Sequence, residues 1–213
     1  MMRKKPAGRR TVTSKPKPHA RALNADKDHA KDLFFHARSF HLAAKKLAGA
    51  LEFGSSRFAE FDVSPVIFLY RHALELHLKT LILGGGGNFL AEKPDLISIS
   101  QSHSVSWLAQ FVRQILTALG WENEFKCDGI ENFDDFKSLV GQLNSADPGL
   151  YVFRSPVDPR SEVAVREFVK RMDRLLDLLE STADALAAEW NLRRDGVDFD
   201  DGGFGDNGTT RIQ

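Results

Sequence analysis

The chain has 213 residues, of which 42% are hydrophobic, and its 29 basic and 29 acidic side chains give a formal net charge of zero. This length is enough for one domain with a substantial core, and no stretch approaches the roughly 18–20 apolar residues of a membrane helix, so we expect no membrane span. Cys127 is the only cysteine, which excludes an internal disulfide framework and favours a cytoplasmic location.

The charges are unevenly distributed along the chain. Residues 1–21 contain eight Lys or Arg and no acid, residues 195–213 contain five Asp and one Arg, and residues 22–194 contain 20 basic and 24 acidic side chains. Both ends are poor in the apolar side chains that would offset the entropy of ordering them. We therefore predict a disordered basic arm, a helical domain over 22–194 and a disordered acidic tail. The arm is either a solubilising tail or a segment that contacts RNA or DNA.

Between these ends, apolar residues that recur at steps of three and four predict five helices. In chain order they cover about residues 26–52, 64–83, 103–119, 132–144 and 160–192. We expect Ser64 and Pro65 to begin the second helix, Gly84 to Gly87 to end it as a flexible linker, and Asn132 to cap the fourth. Only residues 150–153 form a candidate strand. The prediction is an all-α fold, an up-and-down bundle of about five helices with disordered tails.

The second helix carries the strongest functional signal. Apolar residues cover more than half of its circumference, so it is expected at the centre of the bundle or in the seam of a dimer. Its polar stripe consists of Arg71, His72, Glu75 and Lys79. This stripe is either a structural ladder of ion pairs at i, i+4 spacing, or the lining of a cleft where Arg holds a phosphate or carboxylate and His moves protons.

Tyr70 and His77 fall within the apolar arc of the same helix. His77 is therefore either a core histidine, hydrogen-bonded near Tyr70, or a catalytic group. At 3.6 residues per turn, Arg71 and His77 lie about 120° apart. Their joint action on one phosphate requires a partner chain or a local bend.

The segment Arg71-His72-Ala73-Leu74-Glu75-Leu76-His77 resembles the signature of HEPN domains, which is an Arg, a polar residue and a His after four to six intervening positions. The wider pattern resembles a branch of bacterial HEPN-like proteins in three segments, residues 68–79, 103–108 and 153–158. The resemblance implies an all-α homodimer in which the Arg and His lie at the interface and cleave RNA without a metal. It also implies a role in stress or phage defence with a cognate partner protein, while other members are inactive interaction modules.

The predicted site combines the stripe with this resemblance. Its catalytic residues are expected to be Arg71, His72, Glu75 and His77, and its substrate-binding residues Lys79, His103 and Arg154. The Arg is expected to stabilise phosphate charge and the His to act as acid and base. The leading hypothesis is a HEPN-like, metal-independent endoribonuclease. The alternative is a non-catalytic helical interaction or scaffold module.

The spacing of the histidines argues against a metal site. His36 and His41, like His72 and His77, are five residues apart, whereas two ligands on one face of a helix need a spacing of three or four. We therefore expect no metal and no other cofactor.

Overall fold

The computed structural model describes residues 18–51, 59–92, 94–145 and 161–197. The helices are α1 (Pro18–Gly49), α2 (Ala59–Leu83), α3 (Leu96–Gln101), α4 (Val105–Leu119), α5 (Phe133–Ser145) and α6 (Glu162–Val197), with a 3₁₀ turn at Gly86–Phe89. Within these residues there is no strand, only an isolated antiparallel bridge between Cys127 and Ile130. The predicted all-α helical bundle is therefore confirmed. None of the helices described is long and apolar enough to cross a membrane.

Helix α2 lies at the centre of the bundle, one of the two positions that its apolar surface predicts. It packs against α1, α3, α4, α6 and the 3₁₀ turn, and every residue from 73 to 83 is buried. The long helices around α2 present apolar stripes to it. In α4, for example, the buried positions repeat at three- and four-residue steps and are Val105, Leu108, Ala109, Val112, Ile115 and Leu116. Helix α5 packs against α4 at the edge of the bundle.

All five predicted helices are present, but their ends differ from the prediction. The first begins at Pro18, so it includes the last four residues of the predicted basic arm, and the last extends to Val197 and includes the first three of the predicted acidic tail. The rest of the arm and tail, the candidate strand at 150–153, and Arg154 lie outside the described residues. Helix α3 was not predicted, because its six residues are too few for a periodic signal.

The start of α2 corrects a second prediction. Pro65 lies inside this helix, which begins at Ala59, and therefore Ser64 is not its N-cap. A proline inside a helix costs about 3 kcal/mol relative to alanine, which is why the sequence favoured a start at this point. Val63, in the additional turn, is buried in the core, and this packing offsets part of that cost.

Two helix caps agree with the local sequence. The Asn132 side chain accepts hydrogen bonds from the backbone N–H groups of Asp134 (2.9 Å) and Asp135 (3.0 Å), as predicted. Ser104 caps α4 by accepting from the backbone N–H of Trp107 at 3.3 Å. This second cap fixes the point at which the connection from α3 enters α4.

The glycines that end α2 form a packed turn, so the prediction of a flexible linker is wrong. Gly85 has φ 131°, a backbone conformation that favours glycine. At Gly86, a Cβ atom would lie 2.4 Å from the backbone oxygen of Leu81 and 2.7 Å from Cδ1 of Ile115. Because Gly86 has no side chain, the turn can pack closely against α2 and α4.

Candidate functional site

A buried carboxylate, Glu75, organises the polar side of α2. Its side chain is 2% exposed. Oε1 of Glu75 lies 2.9 Å from Nζ of Lys79 and 3.0 Å from Nδ1 of His103, and Oε2 lies 3.7 Å from Nη1 of Arg71. The i, i+4 pairs predicted for the stripe are thus present. We call Arg71, Glu75, Lys79 and His103 the Glu75 cluster.

The two cations of the Glu75 cluster also bind backbone carbonyls, one in the last turn of α3 and one in the connection from α3 to α4. Nη2 of Arg71 donates a hydrogen bond to the carbonyl of His103 at 2.9 Å, and Nζ of Lys79 donates to the carbonyl of Ser100 at 2.9 Å. Buried charges are stable only when they are paired and hydrogen-bonded. These contacts satisfy that requirement and hold the end of α3 and the α3–α4 connection against α2.

His103 is the part of the Glu75 cluster that meets solvent, since its side chain is 74% exposed. An ionised carboxylate can only accept hydrogen bonds, so the 3.0 Å contact makes Nδ1 of His103 the donor. In the neutral ring, Nε2 then carries the lone pair, on the side of the ring away from Glu75. A carboxylate-oriented imidazole of this kind can take up and release a proton at Nε2.

His72 belongs to an aromatic contact beside the Glu75 cluster. Its ring stacks parallel to Phe68 with centroids 5.9 Å apart, and meets the ring of Phe40 edge-on at 4.4 Å. Burial lowers the pKa of His72; the Glu75 charge opposes this, while Lys79 and other neighbouring cations add to it. A lowered pKa favours a neutral ring that packs with its aromatic neighbours.

His77 lies in the core on a different side of α2. It is 1% exposed, its ring meets Phe34 edge-on at 6.1 Å, and neither ring nitrogen has a hydrogen-bond partner among the described residues. Burial, together with smaller contributions from the nearby His41 and Arg38, lowers the pKa of His77 to about 4. The structure therefore does not bring His77 to Arg71, and the ring is neutral at neutral pH.

A second polar network, which sequence reasoning missed, joins α1, α2 and α6. Oδ1 of Asp173 accepts a hydrogen bond from the Tyr70 hydroxyl at 2.8 Å and lies 2.9 Å from Nε2 of His41, while Oδ2 lies 3.6 Å from Nζ of Lys45. The hydrogen bond near Tyr70 that one interpretation gave to His77 is absent among the described residues, because neither ring nitrogen of His77 has a partner there. Burial and the nearby Asp173 raise the pKa of Tyr70. The available signal was Tyr70 itself, because a buried tyrosine hydroxyl usually needs an acceptor.

The described residues contain no group of three or more His, Cys, Asp and Glu side chains that could hold a metal ion. Of the predicted site residues, the structure brings together Arg71, Glu75, Lys79 and His103, places His72 beside them, and separates His77. Comparison of the chain with models of known protein families, with curated proteins and with solved structures found no match.

Proposed function

We propose that the chain is a metal-independent endoribonuclease whose acid–base group is His103. One observation carries this proposal: an exposed imidazole is held at 3.0 Å by a buried carboxylate. The guanidinium of Arg71 binds the same segment of backbone, 2.9 Å from the carbonyl of His103. An oriented proton acceptor beside a cation is what phosphodiester cleavage without a metal requires.

The proposed reaction is attack of an RNA 2′-hydroxyl on the adjacent phosphorus. Nε2 of His103 takes the 2′-hydroxyl proton, the new O2′–P bond forms, and the P–O5′ bond breaks. The proton then passes to the departing 5′-oxygen, leaving a 2′,3′-cyclic phosphate and a 5′-hydroxyl. Arg71 is 14% exposed, and its guanidinium has five N–H donors, so it can contact a phosphate oxygen while it holds the carbonyl of His103.

The resemblance to HEPN domains supports RNA as the substrate, and the proposal transfers the acid–base role from His77 to His103. The remaining expectations depend on that resemblance alone. They are a homodimer with the site at its interface and a role in stress or phage defence with a cognate partner protein. The expected cytoplasmic location has a separate basis, the single cysteine Cys127. The exposed His103 leaves room for a second chain to complete the site.

The test is cleavage of unstructured RNA by the purified full-length chain in excess EDTA. We expect cyclic-phosphate ends, and a loss of rate of about 100-fold or more in His103→Gln. His36→Gln is the matched control because His36 is exposed on α1, outside the Glu75 cluster, and it should cleave like the wild type. Equal cleavage by His103→Gln and His36→Gln would overturn the proposal. Light scattering of the same samples tests the dimer.

One observation favours the second candidate, a non-catalytic interaction or scaffold module. Arg71 and Lys79 both donate to backbone carbonyls and both pair with Glu75, which is the arrangement that a purely structural connection would have. This candidate predicts no EDTA-resistant cleavage by the wild type. It also predicts that Arg71→Ala lowers the melting temperature while His103→Gln does not.

A further inference from the structure

A cleft of about 380 Å³ separates the last turns of α1 from the first half of α6. Its apolar lining includes Ala48, Val165 and Val169. Four cations and two acids also line it, and these are Lys45, Arg166, Lys170, Arg174, Asp173 and Asp177. We call it the α1–α6 cleft. Neither the Glu75 cluster nor the proposed reaction uses any of these side chains.

Most cations of the α1–α6 cleft are held only by long ion pairs. Nζ of Lys170 lies 3.6 Å from Asp128, and Nη2 of Arg174 lies 4.0 Å from the same carboxylate oxygen. Lys45 is 3.6 Å from Asp173, whose other oxygen is engaged by His41 and Tyr70. All three cations are more than half exposed. Such pairs contribute little stability and exchange readily for a stronger anion.

The spacing of the cations selects the kind of anion. Arg166, Lys170 and Arg174 stand at i, i+4 and i+8 on α6, so successive side chains originate about 6 Å apart along the helix and the row covers about 12 Å. A single phosphate contacts at most two positions of such a row, whereas a chain of phosphodiesters can contact all three. Lys45 adds a fourth cation from the opposite wall, on α1. Arg166 remains paired with Glu162 at 2.7 Å.

We infer that the α1–α6 cleft binds the phosphate backbone of single-stranded RNA, with sugars or bases against its apolar lining. Asp173, which lines this cleft, is hydrogen-bonded to Tyr70 of α2. Around the axis of α2, the positions of Tyr70 and Glu75 are about 140° apart. The cleft is therefore a binding site separate from the Glu75 cluster, and it holds RNA away from the reacting phosphate. The inference rests on the proposed function only in naming RNA as the nucleic acid.

The test measures binding of a fluorescent oligonucleotide of about 12 nucleotides made of 2′-O-methyl RNA, which lacks the attacking hydroxyl. The variant Lys45→Gln, Lys170→Gln, Arg174→Gln is compared with Lys31→Gln, Lys126→Gln, Lys137→Gln, which removes the same charge from exposed positions outside the cleft. We expect the first variant to lose affinity on the order of tenfold. Its slope of log affinity against log salt should fall by about 2, while the control variant keeps the wild-type slope.

Two outcomes would overturn the inference, and neither depends on cleavage. Equal weakening in both triple variants would show that only overall charge matters and would overturn it. Displacement of the oligonucleotide by an equal concentration of inorganic tripolyphosphate would indicate a small-anion site and would also overturn it. The oligonucleotide cannot be cleaved and the measurement records binding alone, so that failure of the proposed ribonuclease leaves the cleft inference standing. The double variant Lys170→Gln, Arg174→Gln repeats the measurement of oligonucleotide affinity with two of the three charges removed, which disturbs the fold less.

Discussion

His77 places a polar ring in the apolar interior between α2 and α1. Its two ring nitrogens are buried and have no partner among the described residues, and its nearest aromatic neighbour is Phe34. A buried polar group without a hydrogen bond costs about 1–3 kcal/mol in the folded state. His77 is therefore a source of instability, and the sequence signature that nominated it as catalytic does not explain its position.

We predict that His77→Leu stabilises the protein by about 1–2 kcal/mol at pH 7, because it removes two unsatisfied nitrogens and preserves a side chain of similar size. Urea unfolding monitored by circular dichroism measures this change. The same substitution at the exposed His36 should change the free energy of unfolding by less than about 0.5 kcal/mol. A loss of stability in His77→Leu would show that the ring has a partner that this structure does not describe.

The same variant has a characteristic pH profile. The pKa of His77 is lowered to about 4 in the folded state, compared with about 6.5 in an unfolded chain. Titration of this ring therefore leaves the free energy of unfolding at its full value above pH 6.5 and lowers it as the pH falls towards 4, because the unfolded state binds the proton first. The loss amounts to about 3 kcal/mol over that window. In His77→Leu the free energy of unfolding should not show this part of the decline between pH 6.5 and 4. If its dependence on pH equals that of the wild type, the buried, neutral ring is contradicted.

Residues of the site differ in how far the sequence predicts their contacts. The pairs of Glu75 with Arg71 and Lys79 follow from i, i+4 spacing, which is fixed once the helix forms. The contact between Glu75 and His103 depends on where the α3–α4 connection lies, and local spacing carries no information about that. Asp173 was missed for the same reason, since its partners on α1 and α2 are remote in sequence.

At the scale of elements, the turn after α2 shows how backbone packing limits sequence reading. Four consecutive glycines are equally consistent with a flexible linker and with a turn that has no room for side chains. The structure selects the second, because a Cβ at Gly86 would lie within 3.1 Å of atoms of Leu81, Ile115 and Leu186. The existence of the long helices was predictable from their apolar periodicity, whereas their ends and the short α3 were not.

We predict that Gly86→Ala destabilises the protein by about 1–3 kcal/mol, because the new methyl group would meet a backbone oxygen that cannot move without disturbing α2. Gly141→Ala is the matched control. Gly141 lies within α5, and a Cβ there would meet nothing within 4 Å, so alanine should stabilise the helix by about 0.5–1 kcal/mol. Thermal unfolding of the two variants should therefore shift in opposite directions, and parallel shifts would contradict the packed turn.

At the scale of the whole molecule, polar networks on two sides of α2 join it to its neighbours. The Glu75 cluster joins α2 to the α3–α4 connection, and the Asp173 network joins it to α1 and α6. Apolar packing alone brings helices together, but directional hydrogen bonds also fix their register. The Asp173 network therefore positions the two walls of the α1–α6 cleft as well as stabilising the bundle.

We predict that Asp173→Ala destabilises the protein by about 2–4 kcal/mol, because it leaves the buried Tyr70 hydroxyl and His41 ring without their acceptor. For a chain of this size the melting temperature should fall by about 5–15 °C. Asp128→Ala is the control, because Asp128 is 59% exposed and its ion pairs with Lys170 and Arg174 are 3.6 and 4.0 Å long. Its removal should cost less than about 1 kcal/mol. Equal melting temperatures in the two variants would mean that Asp173 does not hold the three helices together.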